Sequence, residues 1–221
     1  MTPARPGAGP RRYQAQEDDP PGTSRLFIAV PVADEVRDQV GALMEAVAGG
    51  PVDRRAPGQP RWVRVDGLHL TLRFLGATPD IRRQELAAAI AAAAAQIEPF
   101  KVVLGGGGAF PNQYRPRVLW IGIGDGVADL GALERHVDAE LRQLGWASDD
   151  RPFTAHLTLA RTDGVPGADE RARHLIEAAR DVSFSWQADR LVLYKSNLGY
   201  GPTHYEALES ALLGSPAAAR E

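Results

Sequence analysis

An α+β fold is expected: two pseudo-symmetric lobes, each a small and mainly antiparallel sheet flanked by outer helices, with an active-site cleft between them. Three observations lead to it. The tetrapeptide HLTL occurs at residues 69–72 and again at 156–159. The order of strand-like and helix-like segments around the first copy repeats around the second. At 221 residues the chain is also long enough to bury a substantial core.

Residues 1–24 mix Pro, Gly and charge with no apolar periodicity, the composition of a disordered tail, and residues 213–221 read as a flexible C-terminal tail. That leaves a single bilobal domain over 25–212. RLFIAV (25–30) is a short apolar strand, followed by a helix-period segment over 33–47, a Gly/Pro loop, and LHLTLRFL (68–75) as a second strand. DIRRQELAAAIAAAAAQI (80–97) is Ala-rich and helix-forming, and FKVVL (100–104) is a strand. The glycine run LGGGGAF (104–110) reads as a flexible turn, because no Gly-Lys-Ser/Thr follows to make a phosphate loop.

The same order then returns. RVLWIGI (117–123) is a strand, 128–144 a helix, GWASDDRP (145–152) a loop and HLTLAR (156–161) a strand. ADERARHLIEAAR (168–180) is a helix, VSFSWQ (182–187) and RLVLYKS (190–196) are strands, and GPTHYEAL (201–208) reads as a loop. The repeat lies in element order more than in letters and reads as an internal duplication.

Composition narrows the chemistry. A formal charge of −3, with 44% hydrophobic and 24% charged residues, is that of an ordinary globular protein and not of one coated in positive charge for long nucleic acid. Without cysteine there are no disulfides, thiolate metal sites or Cys nucleophiles. No apolar run is long enough to span a bilayer and no secretory signal is visible, so a cytoplasmic monomer with no membrane partner is expected.

On a strand, residues i and i+2 share a face, so His69 and Thr71 point one way while Leu70 and Leu72 point to the core; His156 and Thr158 repeat the arrangement. Approximate two-fold symmetry would bring the two polar pairs together. Two facing imidazoles suit acid–base opening of a phosphodiester, since His populates both protonation states near neutrality. The threonine hydroxyls would donate to the non-bridging oxygens. Arg161, five residues after its His, is a candidate phosphate fork, with a surface ion pair as its ordinary alternative. Arg73 shares the face of His69 and Thr71 if the strand is regular, and is otherwise a rim residue. Phe74 offers either a core side chain or a ring for a base to stack on. His136 and His174 fall in polar helical segments and His204 in a loop. No zinc-binding spacing connects them, so neither metal nor cofactor is expected. Tyr200 and Tyr205 read as core packing near the cleft.

WVRVDGLHLTLRFLG (62–76), RPFTAHLTLAR (151–161) and the closing LVLYKSNLGYGPTHYEAL (191–208) resemble the two-histidine (2H) phosphoesterase superfamily. Within it they are most similar to the RNA 2',3'-cyclic phosphodiesterases, long called 2'-5' RNA ligases. The resemblance covers about residues 25–208. It implies a bilobal α+β fold and metal-independent opening of an RNA 2',3'-cyclic phosphate to a 2'-phosphate. It further implies that His69 protonates the departing 3' oxygen, His156 activates water, Thr71 and Thr158 hold the phosphate, Arg161 clamps it, and Phe74 stacks on the terminal base. Ala155 departs from the pattern, since many relatives place Pro there. The implied partners are RNA ends or tRNA halves bearing the cyclic phosphate, and small cyclic nucleotides. Three readings share this phosphate chemistry: an RNA-end binder without turnover, an enzyme for ADP-ribose 1'',2''-cyclic phosphate, and 2'-5' RNA ligation.

Overall fold

The computed structural model describes residues 20–52, 59–197 and 203–215. In chain order the elements are β1 (Thr23–Pro31), α1 (Asp34–Ala48), β2 (Arg61–Trp62), β3 (His69–Pro79), α2 (Arg83–Ala94), β4 (Phe100–Phe110), β5 (Val118–Asp125), α3 (Val127–Gln143), β6 (His156–Arg161), α4 (Ala168–Ala178), β7 (Phe184–Ala188), β8 (Arg190–Asn197) and β9 (His204–Leu212). They build two antiparallel sheets with helices, ordered β3-β1-β8-β9 and β2-β6-β5-β4-β7.

The α+β architecture is as expected, but the two sheets are not the two halves of the sequence. β4, which follows the first motif, lies in the second sheet between β5 and β7, while β8 and β9 extend the first. Alternation of apolar and polar residues fixes which face of a strand is buried and leaves its neighbours open. In β1, Leu26, Phe27, Ile28, Ala29 and Val30 are all at most 3% exposed, so both of its faces are covered, and it lies inside its sheet with β3 and β8 on its two edges.

The helices bury amphipathic stripes, Val36, Val40, Met44 and Val47 on α1 and Leu130, Leu133, Val137 and Leu141 on α3. α2 lies against β8, β9 and α3, and α3 also reaches β3; α4 covers β4 and packs on α1. Buried residues from both sheets and all four helices form one hydrophobic cluster. No helix among the described residues is long and apolar enough to cross a membrane.

Three local expectations are corrected. β1 begins at Thr23, ahead of the expected boundary at residue 25, and Ser24 is buried with its hydroxyl donating to Asp80 Oδ1 at 2.7 Å. At the other end Leu213 is buried and donates its N–H to Asp189 O at 2.8 Å, so the expected tail starts later than 213. Most of both tails, and Tyr200, lie outside the described residues. The stretch from His204, expected as a loop, is β9, paired with β8 from His204↔Asn197 to Arg190↔Leu212.

The glycine run is strand and not turn. β4 continues through it, with a bulge between Leu104 and Gly107 where Gly106 takes a φ of 72°. The two glycines after the bulge mark close approaches on opposite faces. A Cβ on Gly107 would sit 2.7 Å from Leu175 O of α4, and one on Gly108 would sit 2.2 Å from Trp120 Cζ2. Gly108→Ala is therefore expected to displace the indole and lower stability by about 1–3 kcal/mol. A urea midpoint equal to wild type would contradict this packing.

Candidate active site

The lead-in to the first motif is bonded to the second. β2 pairs with β6 through Arg61↔Arg161 and Trp62↔Ala160, and the Val63 N–H donates to Leu159 O at 2.8 Å. The chain then turns through residues 65–67 and starts β3 at His69. β3 and β6 thus lie in contact, each beginning with its histidine.

The two imidazoles are held alike. His69 Nδ1 is 2.7 Å from Gly67 O, and His156 Nδ1 is 2.7 Å from Thr154 O. A carbonyl only accepts, so Nδ1 carries the proton in each ring, and Nε2 is left as the nitrogen that takes or gives a proton. Each ring rests on aromatic side chains. The His69 ring centroid lies 4.7 Å from Phe27, 5.8 Å from Tyr194 and 4.9 Å from Tyr205, the last edge-on. His156 has Phe110 at 5.0 Å and Trp120 at 6.4 Å. Two glycines admit these rings. Gly108 clears the space under Trp120, and a Cβ on Gly67 would stand 2.9 Å from Tyr205 Cδ2.

This packing sets the proton affinities. Burial pushes the His69 pKa down to about 4, against an upward pull from its bond to Gly67. His156 is also lowered, first by burial and further by the positive charge of Arg161, with its bond to Thr154 opposing. Both rings are therefore neutral at pH 7. The folded state resists a proton that the unfolded chain accepts near pH 6.5, so His69 contributes stability above that pH which is lost as pH falls towards about 4. His69→Gln is expected to flatten the fall in the urea midpoint across this window. An unaltered slope would contradict the assigned burial.

A bulge in each motif strand decides which neighbours join the histidines. In β3 the register passes from Ala29↔Thr71 to Ile28↔Arg73, skipping Leu72. Ala29 and Ile28 point to opposite faces of β1, so Arg73 is turned away from Thr71 and towards the helices. There it is 7% exposed, bonded to Asp138 Oδ1 of α3 at 3.0 Å and to the carbonyl of Ala147. The expected placement of Arg73 beside His69 and Thr71 is thus corrected: Arg73 ties the first motif strand to α3.

The same bulge brings Phe74, opposite Phe27, onto the histidine face. Its ring lies 5.9 Å from that of Phe27 and remains 60% exposed. β6 repeats the device, with Trp120↔Thr158 followed by Leu119↔Ala160, so Leu159 is skipped and Arg161, opposite Val118, shares the face of Trp120, His156 and Thr158. Thr71 and Thr158 are half-buried on those faces. The structure therefore groups His69, Thr71 and Phe74 on one sheet and His156, Thr158 and Arg161 on the other. His136 and His174 lie on α3 and α4, and His204 is exposed on β9.

Sequence reading missed the aromatic floor of Phe27, Tyr194, Phe110 and Trp120, and took Tyr205 for core packing. A signal was present: Phe27-Ile28-Ala29 and Trp120-Ile121-Gly122 repeat an aromatic-Ile-small pattern, which sets a ring and a small residue on one face of each strand beside the motif strand.

The chain is similar to several known proteins. A protein named RNA 2',3'-cyclic phosphodiesterase from Geobacillus stearothermophilus is 32% identical over 194 residues, which is 87% of this chain and 59% of that protein, so the chain spans less than two thirds of its length. One of the same name from Archaeoglobus fulgidus is 34% identical over 137 residues, 62% of this chain and 72% of the relative. A crystal structure of a protein from Thermus thermophilus superposes with a TM-score of 0.66 at 29% identity, covering 86% of this chain and 98% of the other. Residues 28–199, which carry both motif strands, match the family described as the 2'-5' RNA ligase superfamily. With two HxT strands set side by side on paired antiparallel sheets, this chain belongs to that 2H phosphoesterase family.

Proposed function

We propose that this chain opens the 2',3'-cyclic phosphate of an RNA end to a 2'-phosphate by paired-histidine acid and base catalysis, with no metal ion. The observation that carries the reading is the matched pair of imidazoles, each tied through Nδ1 to a backbone carbonyl, at the starts of two strands in contact. The names of the relatives support the substrate.

Both rings are neutral before substrate binds, because burial lowers both. An anionic phosphate between them favours a charged imidazole, so one proton enters the pair. By its resemblance to the 2H phosphoesterases His69 is the acid and His156 the base, and the substrate's negative charge holds on His69 a proton that burial alone resists. His69 Nε2–H protonates the 3' oxygen as its bond to phosphorus breaks. His156 Nε2 takes a proton from the water whose oxygen forms the new bond to phosphorus. Release of that proton to solvent and recharging of His69 restore the pair. Thr71, Thr158 and the Arg161 guanidinium hold the non-bridging oxygens, whose charge grows in the transition state. Phe74, exposed on the same face as His69, stacks on the terminal base.

One chain supplies both histidines, so the proposed site needs no second subunit, and a monomer is proposed. Its proposed substrates are RNA ends, tRNA halves and small cyclic nucleotides in the cytoplasm. The test is incubation with a short RNA ending in 2',3'-cyclic phosphate in the presence of EDTA. A 2'-phosphate product is expected; a 3'-phosphate product, or activity that returns only with a divalent metal, would overturn the reading.

A further inference from the structure

Just beyond Arg161, the second sheet carries further positive charge and a cavity that the catalytic reading does not use. Arg61 of β2 stands directly opposite Arg161 of β6, and opposed residues in an antiparallel pair share a face. Arg117, just ahead of β5, accepts the Thr162 N–H on its carbonyl at 2.9 Å. The Asp163 carboxylate lies between these two arginines, 3.5 Å from Arg61 Nη2 and 3.9 Å from Arg117 Nε. Both ion pairs are long and solvent-exposed, so they contribute little to stability. They do mark a place where an anionic group fits between two guanidinium groups.

Beside them a cavity of about 270 Å³ opens between the β4–β5 connection and the β6–α4 loop, lined by Tyr114, Arg115, Arg117, Thr162, Val165 and Asp169 among others. Its walls are built in advance. Asn112 Oδ1 accepts the N–H groups of Tyr114 at 3.0 Å and Arg115 at 3.1 Å, and the buried Thr162 hydroxyl donates to Pro116 O at 2.8 Å. Tyr114 is 76% exposed. A solvent-facing ring beside several guanidinium groups is the equipment with which proteins hold single-stranded RNA: the ring takes a base, and the cations take the backbone.

We propose that this cavity, with Arg61 and Arg117, is a subsite for the nucleotide upstream of the cyclic end of a single-stranded RNA. The proposal rests on the catalytic reading above, which puts the reacting phosphate at Arg161. Tyr114 stacks on the upstream base, and Arg61 and Arg117 bind the phosphodiester that joins it to the terminal nucleotide, displacing Asp163. A cyclic mononucleotide has no such linkage and touches none of these groups.

The experiment compares kcat/KM for a single-stranded RNA hexamer ending in 2',3'-cyclic phosphate with kcat/KM for a 2',3'-cyclic mononucleotide. It uses wild type, the Arg61→Ala/Arg117→Ala double variant and Tyr114→Ala. Each variant is expected to lose about tenfold or more on the hexamer and to match wild type on the mononucleotide. The double variant should also show a shallower salt dependence on the hexamer. Equal losses on both substrates, or no loss on the hexamer, would overturn the subsite. Wild-type turnover of the mononucleotide tests the catalytic reading separately. Were wild type inert on both, that reading would fail, and hexamer affinity would judge the subsite: weaker binding by the double variant supports it, and equal binding overturns it.

Discussion

His156→Ala and His69→Ala are each expected to lower turnover of a cyclic-phosphate RNA end by about 10² to 10⁴, the usual contribution of one positioned proton transfer. Neither ring holds the fold together. Each donates a single hydrogen bond to a carbonyl two residues away and rests on aromatic side chains that also pack on one another. At neutral pH the variants should therefore unfold near the wild-type urea midpoint. The check is single-turnover hydrolysis beside a denaturation curve. A folded variant that retains most of its turnover would end the role of that histidine.

Arg73→Ala is expected to do the opposite. Arg73 is almost fully buried and engages Asp138, which also accepts the Ser148 hydroxyl at 2.8 Å, and the Ala147 carbonyl. Truncation leaves a largely buried carboxylate and a carbonyl without their donor, which costs about 2–4 kcal/mol given that Asp138 keeps some contact with water. Turnover should be close to wild type at a temperature where the variant remains folded. A fall in kcat with unchanged stability would return Arg73 to the substrate, where a regular strand places it.

That pair of outcomes marks where sequence reasoning reaches and where it stops. The repeated HLTL, with period-2 alternation, is enough to separate His69 and Thr71 from Leu70 and Leu72, because both observations are local. The residues just downstream depend on a bulge at Leu72 and another at Leu159, which no glycine or proline announces. Strict alternation puts Arg73 on the histidine face and Phe74 off it; the bulge exchanges them. Arg161 reaches the site by the same device. The exchange of β4 and β8 between sheets is hidden for a different reason, since pairing partners are chosen by tertiary contacts and leave no periodicity behind. The glycine run misleads because glycine signals turns as readily as close approach, and only the indole of Trp120 against Gly108 shows which applies.

The pH dependence of kcat/KM on the cyclic-ended RNA tests the paired acid and base most directly. If one imidazole must be neutral and the other charged in the same turnover, the profile is bell-shaped, with two limbs that belong to the coupled pair. A profile with a single limb would contradict the account, because one histidine would then suffice for the chemistry.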